Sequence, residues 1–247
     1  MERKISVAIP YYNNSKFMRK TLETLINDDR INEIIITDDK SNDLPQLEKL
    51  LTILNCNKIK LYKNEKNLGC YHNKITAVSK CLNDWCILLD SDNYIEKKYL
   101  DTLYHIENWD KKTLYVPDSP ITFPGCRAKN MDYRKYSDKF ITKEIYLTDF
   151  NIINFQCLIN TCNYFIPCKE YIKCMNIGFK TYNRDIIDCL DSAVLFTDWI
   201  LNKNKIKVVK NLSYYHRVHP NSNYMNGRSR KYENMVKKGL YTNVLKL

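Results

Sequence analysis

An α/β fold built on a mostly parallel sheet flanked by helices is what this chain predicts, and three observations carry the prediction. Short apolar runs recur through the first half of the 247 residues, each followed by polar residues. Segments with helical spacing separate these runs, the order expected of βαβ units with right-handed crossovers. Finally, Tyr11-Tyr12-Asn13, Asp38-Asp39, Asn64 to Gly69 and Asp90 to Asn93 all fall at carboxyl ends of predicted strands. In a parallel sheet those ends share one edge, so four polar loops converge on one crevice.

In chain order, Ile5–Pro10 reads as a strand and Lys16–Ile26 as a helix, with Phe17, Leu22, Leu25 and Ile26 on its apolar face. Glu33–Thr37 is a second strand, and Leu44–Leu54 a helix with Leu47, Leu50, Leu51 and Leu54 at helical spacing. Ile59–Tyr62 and Tyr71–Leu82 form the third strand and helix; Trp85–Leu89 and Lys97–Ile106 form the fourth pair. Beyond Thr113 the pattern is mixed. Leu114–Val116 reads as a strand, Asp118–Asp138 as a long loop, and Phe155–Pro167 as an apolar buried segment. Ile186–Leu201 reads as a helix, Ile206–Val209 as a strand and Tyr214–Met225 as a polar-aromatic loop. With no repeat and no low-complexity linker, a single domain with a C-terminal subregion is the simplest organisation.

Composition bounds the function loosely. A formal charge of +11 favours an acidic partner, a nucleotide, nucleic acid or anionic membrane. Lys outnumbers Arg, and Asn, Ile and Tyr are abundant beside only 5 Gly, a bias that resembles translation of an AT-rich genome. No stretch approaches the ~20 apolar residues that cross a bilayer, and a first strand at Ile5 leaves no room for a signal peptide. The expected location is the cytoplasm, or host cytoplasm or virion for a viral chain. Among 10 cysteines no CxxC pair occurs. Cys157, Cys162, Cys168 and Cys174 come nearest to a metal pattern, but their gaps are too wide for an ordinary zinc knuckle. Reduced, partly buried thiols are the expectation.

Asp90-Ser91-Asp92 is the most informative triplet. It emerges from a buried strand with two hard oxygen ligands one residue apart, a pattern suited to Mg²⁺ or Mn²⁺ on a diphosphate. Taken alone it is equally a solvated turn. Its company is what matters. Ser6-Val7-Ala8-Ile9-Pro10-Tyr11-Tyr12-Asn13, Asp38-Asp39-Lys40-Ser41, Asn67-Leu68-Gly69 with Asn73, and Leu89-Asp90-Ser91-Asp92 together resemble glycosyltransferase family 2 in order and spacing. The later half matches more loosely, at Asn163-Tyr164-Phe165, Asp191 and Tyr215–His219.

The resemblance implies a GT-A type, Rossmann-like fold and inverting sugar transfer from a UDP-sugar to a glycan or other hydroxyl acceptor. Residues 1–112 would form the nucleotide-sugar half, 113–227 the acceptor half, and 228–247 a basic tail. Pro10, Tyr11 and Tyr12 would line the base pocket with Tyr12 stacked on the base, and Asp39 would accept a hydrogen bond from uracil. Asn67, Gly69 and Asn73 would help hold the nucleotide, with Asp90 and Ser91 beside the ribose or metal-bound waters. Asp92 would be the principal metal ligand, joined by His219, with Mn²⁺ or Mg²⁺ as cofactor. Three positions depart from the family pattern: Lys40 stands where Gly is usual, His72 where Arg is common, and Asn93 where an acid often follows.

Asp191 is the resemblance's choice of base, with Ser192 in place of the second member of an acidic pair; Asp188 and Asp198 are its rivals. Arg217 is suited equally to a phosphate and to a surface salt bridge. The tail from Arg228 to Leu247 suits an anionic membrane or a second subunit, or packing on its own domain. A Gly-rich loop, needed by nucleotidyltransferases of related fold, is absent after the first strand. The competing non-enzymatic reading is a basic module for glycan or nucleic acid. A crevice lined by Asp38, Asp39, Asp90 and Asp92 repels a polyanion, so no nucleic-acid partner is expected.

Overall fold

The computed structural model describes residues 3–122, 132–145, 163–181, 188, 191–217 and 219. Their order opens β1 (Ile5–Tyr11), α1 (Ser15–Glu23), β2 (Ile31–Asp38), α2 (Leu44–Leu54), β3 (Ile59–Lys63), α3 (Cys70–Ser79), β4 (Trp85–Leu88) and α4 (Lys97–Tyr104). It continues with β5 (Thr113–Pro117), β6 (Ile121–Thr122), a single 3₁₀ turn at Arg134–Tyr136, β7 (Phe140–Ile141) and β8 (Tyr164–Pro167). The last elements are α5 (Cys168–Thr181), α6 (Asp191–Leu201), β9 (Lys205–Val209) and β10 (Tyr215–His216).

Eight strands form one sheet in the order β3-β2-β1-β4-β8-β5-β9-β7, and β6 pairs with β10 in a small second sheet. The β1–β2, β2–β3 and β1–β4 pairs are parallel, as the alternating pattern predicts. β8 is inserted antiparallel between β4 and β5, and β7 runs antiparallel to β9 on the far edge. The first five strands and β9 therefore share one direction, and their carboxyl ends share one edge.

Alternation along the strands builds two core layers. Ile5, Val7, Ile9 and Tyr11 of β1 pack with Met18 and Leu22 of α1, Leu47 and Leu50 of α2, and Tyr99, Leu100 and Leu103 of α4. Ala8 of β1 and Cys86 and Leu88 of β4 face the other layer. There they meet Tyr71, Ala77 and Val78 of α3, Tyr171 and Met175 of α5, and Val194 and Trp199 of α6. The apolar run expected to be buried includes β8, all four of whose residues are buried, while 155–162 lie outside the described residues. The expected long loop over 118–138 contains β6 and the 3₁₀ turn, and its 123–131 portion lies outside them. So do the whole of the basic tail and most of the Tyr214–Met225 loop, near whose start lies β10.

Three helices end earlier than their apolar spacing suggests, α4 at Tyr104 rather than Ile106 among them. α1 ends at Glu23 and α3 at Ser79, because Leu25, Ile26 and Cys81 continue the buried face from turns rather than helix. The start expected for α6 at Ile186 falls among undescribed residues except Asp188; the described helix begins at Asp191. No helix among the described residues is long and apolar enough to cross a membrane.

Candidate active site

The crevice is built from backbone ends that need partners. Where β1 and β2 stop, Asn73 of α3 donates from Nδ2 to the carbonyls of Thr37 (2.9 Å) and Tyr11 (3.4 Å). Its Oδ1 accepts from Asn64 Nδ2 at 3.0 Å. One buried amide thus ties three strand ends together, answering backbone groups that burial would leave unsatisfied. Asp39 does the same for the 64–69 loop. Its Oδ1 accepts from Leu68 N (2.7 Å) and Asn64 Nδ2 (3.0 Å), and its Oδ2 from Gly69 N (2.9 Å). Asn67 Nδ2 donates to the Asp39 carbonyl at 3.0 Å. Gly69 has φ 84° and ψ 161°, a conformation essentially confined to glycine, and leads directly into α3.

These observations change the parts that several residues play. Tyr11 has no exposed surface, and its hydroxyl donates to Asp43 Oδ1 at 2.5 Å, so it supports the crevice from beneath rather than lining it. Asn73 and Asp39, 2% exposed each, also hold the scaffold together. Tyr12 is 48% exposed and Pro10 half-buried, so the surface open to a planar ring is theirs. Lys40, where the family pattern has Gly, takes φ 66°, a left-handed conformation that costs a side-chain-bearing residue about 1–2 kcal/mol. Asp38 steadies that turn by accepting from Ser41 N at 3.1 Å.

The acidic centre lies at the end of β4. Asp90 N donates to Asn163 Oδ1 (3.1 Å) at the start of β8, and Ser91 Oγ accepts from Asn14 Nδ2 at 2.8 Å. Asp92 Oδ2 stands 3.0 Å from His219 Nε2. Two ligand atoms that share one cation at ~2.1 Å sit about 3 Å apart when they are at right angles around it. The His219 Nδ1 atom is buried and has no hydrogen-bond partner among the described residues. Asp92 and His219 therefore present one oxygen and one nitrogen at a spacing that fits a divalent cation of the Mn²⁺ or Mg²⁺ kind. The small β6–β10 sheet and the stacked Tyr94–Tyr215 rings, with centroids 4.3 Å apart, bring Tyr215, His216 and Arg217 to this edge. His216 takes no part in the pair with Asp92. Its Nδ1 lies 3.5 Å from Tyr214 Oη, and burial holds the imidazole below its usual range against the pull of Asp92.

Across the crevice Lys74 Nζ contacts Asp191 Oδ2 at 2.7 Å and Asp90 Oδ1 at 3.5 Å. Lys74 and Asp191 are nearly enclosed, at 4% and 8% side-chain exposure, while Asp90 keeps 30% open. Despite that opening, desolvation by the surrounding protein pushes the Asp90 carboxyl up to about 6. Lys74 opposes the rise, while Asp92 and Asp191 add to it. Asp191 also has Cys70 Sγ 3.8 Å from Oδ1. Asp188 Oδ1 accepts from Tyr71 N (3.3 Å), at the first turn of α3. Asp198 lies two turns beyond Asp191 on α6, where its charge is felt by Tyr71 and Cys174. Of the three candidate bases, Asp191 is the one joined to the acidic centre through an ion pair.

Three residues take part in the site in ways that sequence reasoning did not assign to them. Lys74 had a signal: with Tyr71, Ala77, Val78 and Cys81 it follows the apolar face of α3, a position where a lysine needs a buried anion. Asn163, at φ 73°, joins β8 to Asp90 and through its carbonyl accepts from Tyr99 Oη at 2.8 Å. Phe17, expected on the core face of α1, is half-buried with Arg217 4.1 Å over its ring and the His219 ring 5.0 Å away. Arg217 thus stacks on an aromatic ring, and its N–H donates to Asn93 Oδ1 at 2.9 Å. The cysteines also regroup. Cys168 meets Cys81 and Cys86, whereas Cys174 Sγ donates to the Leu195 carbonyl at 3.9 Å. Cys157 and Cys162 lie outside the described residues.

A mostly parallel sheet between two helical layers, with an acidic pair at the carboxyl end of its fourth strand, defines a GT-A type fold. The chain belongs to glycosyl transferase family 2, whose profile matches residues 6–175. It is 23% identical over 226 residues to the poly(ribitol-phosphate) beta-N-acetylglucosaminyltransferase TarP of Staphylococcus aureus, an alignment covering 86% of this chain and 62% of TarP. It superposes on S. aureus TarS residues 1–349 in complex with UDP-GlcNAc at a TM-score of 0.62, with 19% identity, 89% of this chain and 60% of that one covered. A mannosyltransferase of Pyrobaculum calidifontis in complex with GDP-Man and Mn²⁺ gives a TM-score of 0.62 at 10% identity, covering 100% and 74%. The chain spans less than two thirds of the length of TarP.

Proposed function

We propose that this protein is a metal-dependent, inverting glycosyltransferase that moves a sugar from a UDP-sugar to an acceptor hydroxyl. The observation that carries the proposal is the meeting of Asp90, Asp92 and His219 with Lys74 and Asp191 at one sheet edge. The UDP-GlcNAc bound by TarS and the Mn²⁺ of the mannosyltransferase support it from relatives of the same fold. In this proposal the exposed Tyr12 ring stacks on the base beside Pro10, a contact worth about 1–3 kcal/mol by truncation. Asp39 uses a lone pair left over from the 64–69 loop to accept from uracil. Asp90 and Ser91 flank the ribose and diphosphate. Asp92 and His219 would hold the cation, the imidazole favouring Mn²⁺ over Mg²⁺; when bound, it supplies Lewis-acid neutralisation of the departing diphosphate.

The acceptor oxygen forms its bond to the anomeric carbon from the face opposite UDP, which leaves with the electrons of the broken bond. Asp191 takes the hydroxyl proton, the task of a carboxylate within hydrogen-bond reach of the nucleophile. Lys74 keeps Asp191 and Asp90 in one constellation as a positioning residue. Residues 1–112 form the donor half and 113–227 the acceptor half of one cytoplasmic domain. The test is UDP release from a panel of nucleotide sugars, read as slow donor hydrolysis, with Mn²⁺ or with chelator. One UDP-sugar is expected to be turned over with Mn²⁺ only. Asp92→Ala and Asp191→Asn should lose on the order of 10²-fold or more, and Asp188→Asn and Asp198→Asn should retain activity. No release from any sugar, together with no donor-induced rise in Tm, overturns the proposal in favour of a non-catalytic glycan-binding module.

A further inference from the structure

The opposite edge of the sheet holds a cluster that the crevice does not use. Cys81 follows α3, Cys86 is the second residue of β4, and Cys168 opens α5 directly after β8. Their three sulfurs lie within 4.8 Å of one another, and all three are free thiols. They are 87 residues apart at the extreme in sequence, so only the antiparallel insertion of β8 beside β4 brings Cys168 to the other two. Cys86 pairs with Ser6 on one side and Ile166 on the other, and the Cys168 N–H donates to the Asp84 carbonyl at 2.8 Å. Cys86 has no exposed surface and Cys168 keeps 5%, while Cys81 is half-buried and opens the cluster to solvent.

We propose that Cys81, Cys86 and Cys168 form a three-thiolate site for a soft d¹⁰ cation, with Zn²⁺ and Cu⁺ as its two physiological sources. A disulfide joins two sulfurs and leaves the third unused, whereas a thiophilic cation engages all three. Sulfurs around a tetrahedral Zn²⁺ at ~2.3 Å are about 3.8 Å apart, so the observed cluster closes by no more than about 1 Å. Thiolate ligands select Zn²⁺ and Cu⁺ over the hard cations suited to the carboxylate crevice. The nearby carboxylates are already paired, Glu33 with Lys60 at 2.8 Å and Asp84 with Lys111 at 2.9 Å. They therefore leave the sulfurs as the ligands. A fourth position falls on the open, Cys81 side. Bound there, the cation ties the end of α3 to the start of β4 and the β8–α5 junction, and Lys74, Asp90 and Asn163 lie further along α3, β4 and β8 towards the crevice.

Titration of the reduced full-length protein with Cd²⁺ tests the site through thiolate-to-metal ultraviolet absorption, a signature that the oxygen and nitrogen ligands of the crevice cannot produce. One equivalent per chain is expected, with a rise in Tm. Cys81→Ser should abolish both, while Cys56→Ser should leave both unchanged. The metal content of protein purified without added metal identifies the source as Zn²⁺ or Cu⁺. Should Cys81→Ser fail to fold, alkylation of the wild type with and without Cd²⁺, read by peptide mass, provides the same decision: Cys81, Cys86 and Cys168 should be protected together. Absence of the absorption, or its survival in folded Cys81→Ser, or protection of a different set of cysteines, overturns the proposal.

Discussion

Asp198 is a carboxylate folded against helices rather than presented to solvent, and its Oδ2 has no hydrogen-bond partner among the described residues. Burial pushes it up from 3.8 to about 6. Between those two values the folded protein keeps a proton that the unfolded chain has released, so stability falls as pH rises through that window and stays lower above it. Asp198→Asn removes the titration. It should stabilise the protein at pH 8 by roughly 2–3 kcal/mol, at 1.36 kcal/mol per pKa unit, with the gain vanishing near pH 4. Urea denaturation across pH checks this; an equal gain at both ends would remove burial as the cause. At this scale the acids were legible in the sequence and their partners were not. Asp191 was found through the family resemblance, near the start of a helix, but its lysine lies 117 positions away in sequence. Asp39 and Asn73 were read as ligand contacts, and their bonds to the 64–69 loop and to the strand-end carbonyls were not legible, because polarity at a strand end looks the same whichever group it faces.

The start of α3 shows how a single element sets the crevice. Gly69 supplies the backbone angles that let the chain turn from the 64–69 loop into the helix, and its N–H reaches Asp39 Oδ2. Gly69→Ala introduces a Cβ where φ is 84°, at a cost of about 1–3 kcal/mol. The urea midpoint should fall accordingly, and UDP affinity should fall with it, because the same turn aims Asn73 and Lys74. An unchanged midpoint would mean that the turn accepts a different conformation. Element order in the first half followed from periodicity, and α2 spans Leu44–Leu54 as read, while α1 and α3 end earlier than read. The direction of β8 did not: an apolar run has the same pattern whichever way it is threaded. Its antiparallel course follows from the neighbours it pairs with, Trp85–Leu88 on one side and Tyr115 on the other.

Across the whole molecule the sheet is graded from a sealed centre to open edges. Every residue of β4 is buried, as are six of seven in β1, whereas the residues of β3 are part-exposed and β7 is a two-residue edge. Local opening costs least where few apolar contacts are lost. Hydrogen exchange should therefore find the slowest amides in β1 and β4 and faster ones in β3 and β7. Protection in β7 equal to that in β1 would contradict the strand order.

What the sequence determined by itself was local and periodic. Strand–helix alternation set the class of fold, and polar residues after each strand set which edge carries the site, because strand ends of one direction must lie together. The tertiary structure decided what depends on pairing across long stretches of chain. It placed Lys74 between Asp90 and Asp191, His219 against Asp92, Phe17 beneath Arg217, and three cysteines at the far edge. The last three of these depend on the antiparallel β8 or on the small β6–β10 sheet, and the first on the packing of helices distant in sequence. Pairing energies of that kind are set by which surfaces meet, and a one-dimensional pattern of apolar and polar residues leaves that undetermined.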